Sequence, residues 1–377
     1  MKKIVYVTGS RAEYGLMKEL LFKMHKSGKF DVSLIVTGMH LSHKYGWTLQ
    51  QIKKDGLRIA DEIDIHIEKS TNAGMAESIG YGIIGMTKAL VKDKPDLVMV
   101  TGDRGELLAA AIAAAHLNIP VAHISGGDIT TGANIDERIR HAITKFSSVH
   151  FAESDKSATN LIRWGENKKF VFAVGNPGVS SLPKFSFREK SALAKKYKLN
   201  LRQPILLAVQ HPVTTQTDQA GVQMKETMEA LKKLGMQTVL IYPNSDAGSR
   251  AMIAIIKKYR KLPFIRIFKS IPRHDFLGLM SLASAMIGNS SSALFEAPSF
   301  NLPAINLGLR EEGRERAVNI IDADHSTPSI VTAVRRALKP EFRKKMISVK
   351  NPYAKPNTDK KIIKILLTRW KDIISGY

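Results

Sequence analysis

The chain contains no cysteine in 377 residues, and aromatic side chains make up only 7% of it. The first absence excludes disulfides, thiolate zinc sites, iron–sulfur clusters and a thiol nucleophile. The second gives poor support for base-stacking platforms along the basic runs at 188–202 and 257–273. Helix-turn-helix, RRM, KH and zinc-finger patterns are missing as well, so no nucleic-acid partner is expected. No run of about 18 apolar residues occurs, and the apolar stretch Ile4–Val7 before Gly9 is too short for a signal-peptide core. No membrane partner is expected, and the expected location is the cytoplasm. Nor does any clear cluster of ligating residues suggest a metal or another cofactor.

Acidic residues are also scarce, 34 Asp and Glu against 57 Lys and Arg, for a net charge of +23. Residues 1–180 hold 23 basic and 19 acidic side chains, whereas residues 181–377 hold 34 and 15. A basic half of this kind points to an anionic partner or to a solubilising surface. Charge does not choose between them.

Apolar residues make up 44% of the chain, enough for two buried cores. Short apolar runs such as Lys3–Thr8, Asp31–Thr37, Leu97–Val100 and Val121–Ile124 alternate with segments of helical spacing. That alternation predicts parallel sheets covered on both faces. The pattern breaks at Gly175-Asn176-Pro177-Gly178 and restarts at Ile205–Gln210. The expected class is therefore α/β, with two Rossmann-like, doubly wound domains facing a cleft. The expected boundaries are 1–178, 179–356 and a C-terminal segment 357–377. In that last segment Ile362, Ile363, Leu366, Leu367, Trp370 and Ile374 recur at helical spacing, which predicts an amphipathic packing helix.

In open α/β sheets, ligands bind beyond the carboxyl ends of the strands. Thr8-Gly9-Ser10-Arg11 offers an anion pocket there, with Arg11 as a forked donor, yet it forms neither a dinucleotide nor a Walker motif. Thr101-Gly102-Asp103-Arg104 places an acid at a strand end, either as a catalytic carboxylate or as a helix cap. His123-Ile124-Ser125-Gly126-Gly127-Asp128 leads to Asn134, Asp136 and Glu137. Glu137, Arg140 and His141 are neighbours by helical spacing. Gln210-His211-Pro212 holds a histidine in an extended turn. Gly288-Asn289-Ser290-Ser291-Ser292 predicts a helix start whose hydroxyls and amides suit a phosphate, with Glu296 one turn on and Arg310 after a further strand.

These fragments resemble, in order, those of the hydrolysing UDP-N-acetylglucosamine 2-epimerases. The resemblance also runs through Thr37-Gly38-Met39-His40-Leu41, Met75-Ala76-Glu77-Ser78-Ile79-Gly80 and Ile135-Asp136-Glu137-Arg138-Ile139-Arg140-His141. It extends to Pro243-Asn244-Ser245-Asp246 and Asn306-Leu307-Gly308-Leu309-Arg310. It implies a GT-B-like architecture with the C-terminal helix crossing back onto the first domain, and an oligomer, either homodimer or homotetramer. It also implies a reaction: a carboxylate removes the sugar C2 proton, UDP leaves C1, and water adds to the glycal to release UDP and N-acetylmannosamine. Asp103 and Glu137, with Asp136 beside them, are then the acid/base candidates, and His211 stabilises charge or orients the sugar. Arg11, Ser290, Ser291 and Arg310 hold the diphosphate, Glu296 takes the ribose hydroxyls, and Asn244 and Arg104 are further substrate contacts. The partner implied is a UDP-N-acetylhexosamine.

One departure is visible. Many members of this family carry Glu at the third place of the His-Ile-x-Gly-Gly segment, where this chain has Ser125. A serine hydroxyl cannot serve as a base without a partner, which leaves Asp128 or the other acids to compensate. A branch acting on UDP-2,4-diacetamido-2,4,6-trideoxyglucose also tends to lack this Glu, so that sugar, or a GDP-linked one, is the alternative substrate. A GT-B glycosyltransferase is a more remote alternative.

Overall fold

The computed structural model describes residues 1–132, 135–180 and 182–375, apart from the Glu68 side chain. Asn134 and the last two residues of the C-terminal segment lie outside the described residues. The chain divides into two compact units, Met1–Ile129 with Ile135–Ser181 and Tyr353–Tyr377, and Thr130–Asn134 with Leu182–Pro352.

The first unit holds strands β1 (Lys2–Thr8), β2 (Phe30–Thr37), β3 (Arg58–Ile63), β4 (Leu97–Thr101), β5 (Val121–Ile124), β6 (Val149–Ala152) and β7 (Val171–Ala173). All pair in parallel, in the order β3-β2-β1-β4-β5-β6-β7. The continuous apolar runs follow from burial on both faces. Along β1, Ile4 and Tyr6 enter one core while Val5 and Val7 enter the other; along β4, Leu97 and Met99 alternate in the same way with Val98 and Val100. Period-two alternation of side chains is what splits a single run between two cores.

The second unit repeats the plan with β8 (Ile205–Val209), β9 (Gln237–Ile241), β10 (Ile265–Phe268), β11 (Ala285–Gly288), β12 (Ala304–Leu307) and β13 (Ile320–Ala323). Their order is β10-β9-β8-β11-β12-β13, again all parallel. The order reverses between β1 and β4 in one sheet and between β8 and β11 in the other. In this architecture those reversals open crevices beyond the strand ends.

Two strands, β3 and β13, carry no apolar run that marks them in the sequence, and each is the outer edge of its sheet. The C-terminal segment joins the first unit as two helices, Thr358–Thr368 and Trp370–Ser375, where the spacing predicts one. Ile362, Leu366 and Ile373 are buried in the same core as Ile4 and Tyr6. Burying such side chains contributes about 1.5–3 kcal/mol each. Lys23 pairs with Asp359, which also accepts from Ser180 Oγ at 2.9 Å, fixing the segment's start.

Candidate active site

In the first unit, the carboxyl ends of β1, β4, β5 and β6 carry most of the candidate residues. The backbone leaves β4 through Gly102, whose φ of +92° suits glycine, and its N–H donates to the Ile124 carbonyl at 2.9 Å. His123, fully buried, donates from Nε2 to the Gly102 carbonyl at 2.9 Å and meets Thr144 Oγ1 at 3.2 Å through Nδ1. Burial pushes its pKa down to about 3, so this histidine is a neutral strut beneath the loop.

The helix Gly105–His116 is capped by Arg104, not by Asp103. The Asp103 carboxylate, about one-fifth exposed, instead accepts from Arg140 through both Nε, at 3.1 Å, and Nη2. Arg140, only 1% exposed, also donates to Glu137 Oε2 at 2.6 Å and to the Asp128 carbonyl at 3.1 Å. Glu137 Oε1 meets His141 Nε2 at 2.6 Å. Asp136 is buried in the first turn of the same helix, Ile135–Lys145. One buried guanidinium therefore holds two strand-end and helix-start carboxylates in fixed orientation, and charged, hydrogen-bonded pairing is what makes such burial tolerable. The sequence brought out Asp103, Glu137 and, by helical spacing, the Glu137–Arg140 neighbourhood, but not the bond from Arg140 to Asp103.

Arg11 opens the helix Arg11–Lys26, capped by Ser10, whose Oγ accepts from the Glu13 N–H at 3.4 Å. Arg104 is occupied by buried acids: its Nε donates to Glu106 Oε1 at 2.8 Å and lies 3.6 Å from Glu13 Oε1. Glu13 Oε2 accepts from the Gly9 N–H at 3.0 Å. Burial and the neighbouring Glu106 carboxylate push the Glu13 carboxyl up to about 8, against the pull of Arg104. Arg104 thus braces the β1 loop through Glu13, an acid 91 residues away that the local motif does not reveal, together with its near neighbour Glu106.

In the second unit, the ends of β8 and β11 are tied together by an amide. Asn289 Oδ1 accepts from the His211 N–H at 2.6 Å, and its Nδ2 donates to the His211 carbonyl at 2.9 Å. The approach is close enough that a Cβ on Gly288 would lie 1.8 Å from the Val209 carbonyl oxygen. His211 is half-buried, and its Nδ1 accepts from the Asn244 N–H at 3.1 Å. In the neutral ring that bond places the proton on Nε2, leaving a donor. Asn244 Nδ2 donates to Asp246.

Arg310 Nη1 donates to the Asn289 carbonyl at 3.2 Å and to Glu311 Oε1 at 2.5 Å. Ser290 Oγ lies 2.8 Å from Ser292 Oγ. The helix expected to begin here is a single turn, Ser292–Phe295, with Ser291 already helical. A single turn carries little of a macrodipole, and the groups gathered here are the serine hydroxyls and Arg310. Glu296 is buried, and its Oε1 accepts from Arg273 Nη1 at 2.7 Å, a partner outside every motif. Among the described residues, no three or more His, Asp or Glu side chains gather as a metal-binding group. None of the described helices is long and apolar enough to cross a membrane.

Two doubly wound parallel sheets, each with polar and charged groups gathered where its strand order reverses, define an α/β protein of the ligand-binding kind. Residues 23–367 match the family described as UDP-N-acetylglucosamine 2-epimerase, and the chain belongs to that family. It is 38% identical to a UDP-N,N'-diacetylbacillosamine 2-epimerase (hydrolyzing) of Legionella pneumophila, over 98% of this chain and 96% of that one. It is 31% identical to a UDP-N-acetylglucosamine 2-epimerase of Neisseria meningitidis, over 89% and 88% of the two chains. A crystal structure of UDP-GlcNAc 2-epimerase from Neisseria meningitidis bound to UDP-GlcNAc superposes with a TM-score of 0.81 at 22% identity, covering 97% of this chain and all of that one. The α/β fold is thereby shown.

Proposed function

We propose that this protein is a hydrolysing 2-epimerase of a UDP-linked 2-acetamido sugar, releasing UDP and the free, C2-inverted sugar. The observation that carries the reading is the Asp103–Arg140–Glu137 cluster, in a chain 38% identical to a hydrolysing 2-epimerase. The C2 proton is weakly acidic, so its removal needs a base held in place and a stabilised leaving group. Asp103 and Glu137 are the acid/base pair, Asp136 supports them, and Arg140 keeps them oriented. His211 donates from Nε2 toward the sugar. Ser290, Ser291, Arg310 and Arg11 stabilise charge on the departing diphosphate. Glu296 accepts from the ribose, and Asn244 lies by the nucleotide; Arg104 acts behind the β1 loop.

Expulsion of UDP from C1 as C2 is deprotonated gives a glycal, and addition of water to it gives the free sugar. The name of the 38% relative, which specifies diacetylbacillosamine, supports the 2,4-diacetamido-2,4,6-trideoxy sugar as the first reading of the substrate. UDP-N-acetylglucosamine is the second reading, favoured by the Neisseria relative. A cytoplasmic setting and a homo-oligomer belong to the same proposal. Incubation with each UDP sugar, and with the GDP-linked form, should release nucleoside diphosphate from at least one UDP sugar with no acceptor added. Release only when an acceptor is supplied would indicate a glycosyltransferase instead.

A further inference from the structure

A third carboxylate lies at the same edge of the first sheet, outside every motif. Glu153 follows β6 and is only 1% exposed. Its Oε1 accepts from Ser125 Oγ at 2.5 Å and from Asn176 Nδ2 at 2.5 Å. Ser125 follows β5 and is half-buried, so its hydroxyl stands between the buried acid and the strand-end surface. Its backbone is in the left-handed region, φ +73°, which L side chains adopt only at a cost in strain. The Ser125 N–H nevertheless donates to the Phe151 carbonyl at 3.2 Å, which holds that conformation against β6.

The register places this pair beside the acid cluster. Thr101 pairs with Ile124 and Ile124 with Phe151, so Asp103, Ser125 and Glu153 leave three adjacent strands within two residues of their last pairings. Asp128, three residues after Ser125, is engaged elsewhere: its Oδ1 accepts from Ser157 Oγ at 2.7 Å. The carboxylate that meets Ser125 is Glu153. Asn176, also 1% exposed, is itself fixed, with its Oδ1 accepting from the Gly178 N–H at 2.8 Å. Glu153 Oε1 is thereby aimed at Ser125.

We infer that Ser125 and Glu153 form a proton relay for the hydration step, with Glu153 the positioning residue that makes the Ser125 hydroxyl a base. This inference rests on the function proposed above. As water adds, its oxygen forms the bond to C1 and one of its O–H bonds breaks. That proton passes to Ser125 Oγ while the Ser125 proton passes to Glu153 Oε1. The C1–C2 double-bond pair takes up a proton at C2 from a carboxylic acid of the neighbouring cluster. A hydroxyl backed by a carboxylate is the standard way to activate an otherwise weak base.

The test uses the full-length chain with UDP-N,N'-diacetylbacillosamine and UDP-N-acetylglucosamine, following UDP, glycal and hydrated sugar separately. Glu153→Gln keeps both hydrogen bonds to Oε1 but removes the basicity, and Ser125→Ala removes the relay atom. Each should lower kcat for hydrated sugar about 100-fold with KM changed less than about 3-fold, the scale of one general base. The glycal fraction should rise, and the pH–kcat profile of each variant should differ from that of the wild type. The double variant should be no worse than either single one, and Glu153→Asp should recover part of the rate. Should Glu153→Gln fail to fold, Ser125→Ala alone carries the test. Wild-type product ratio, kcat per folded molecule and pH profile in both single variants would overturn the relay while leaving the epimerase reading intact. No UDP from either sugar with the wild type would overturn both.

Discussion

The two units share one sheet plan and furnish it differently. Beyond the β1/β4 reversal the first unit gathers full charges: a guanidinium 1% exposed, with Asp103 and Glu137 bound to it. Beyond the β8/β11 reversal the second unit gathers amides, hydroxyls and the His211 imidazole, stitched together by Asn289 and flanked by the Arg310–Glu311 pair. The first set suits proton transfer, which needs ionisable groups held in place. The second suits a fixed anion, which needs donors without competing protons. A topology repeated within one chain therefore says where chemistry sits, and the side chains say which chemistry.

The largest effect should come from the charged side. Asp103→Asn is isosteric and removes the base, so kcat should fall by about 10²–10⁴-fold while UDP affinity by calorimetry stays within about 2-fold. Turnover within tenfold of wild type would remove Asp103 from the chemistry. Next, Arg140→Met should lower stability by about 3–5 kcal/mol in urea unfolding, because two carboxylates lose a buried partner. On the second side, Arg310→Ala should weaken the hold on the diphosphate both before and during its departure, raising KM for the UDP sugar about 10-fold and lowering kcat by a similar factor.

The smallest effect is a pH dependence of stability. The folded-state pKa of Glu13 lies above its ordinary value, because burial and Glu106 disfavour the charged form. The folded chain therefore keeps this proton where the unfolded chain has lost it. That contribution is complete below the ordinary carboxylate range and is lost as pH rises through about 8. In Glu13→Gln the fall in stability between pH 5 and pH 8 should flatten, as followed by thermal melts. An unchanged slope would place the titration elsewhere.

Much of this was legible in the sequence, for identifiable reasons. Strands buried on both faces, such as β1, β4 and β8, write themselves as unbroken apolar runs, and the polar residues after them fall at the strand ends. β3 and β13 were not legible, because an edge strand with one open side carries charges such as Asp61, Glu62 and Asp322. The acids of the site were legible as motifs, and Arg140 and His141 as helical neighbours of Glu137, whereas the long-range pairings were not. Arg140 lies 37 residues from Asp103, Glu153 lies 28 from Ser125, and Arg273 lies 23 from Glu296. Pairings of that range are set by the order of strands, which no local pattern encodes. The excess positive charge likewise resolves: residues 339–377 hold 11 basic and 3 acidic side chains outside every motif. That segment alone supplies +8 of the +23.

In the proposed reaction C2 of the sugar loses a proton as UDP departs and gains one as water adds. Proton NMR of the reaction in deuterated water, with UDP-N,N'-diacetylbacillosamine and UDP-N-acetylglucosamine in parallel, reads this directly. Free sugar inverted at C2 and carrying deuterium there, released with UDP, is the expected product. A product retaining its C2 proton and configuration would contradict that reaction.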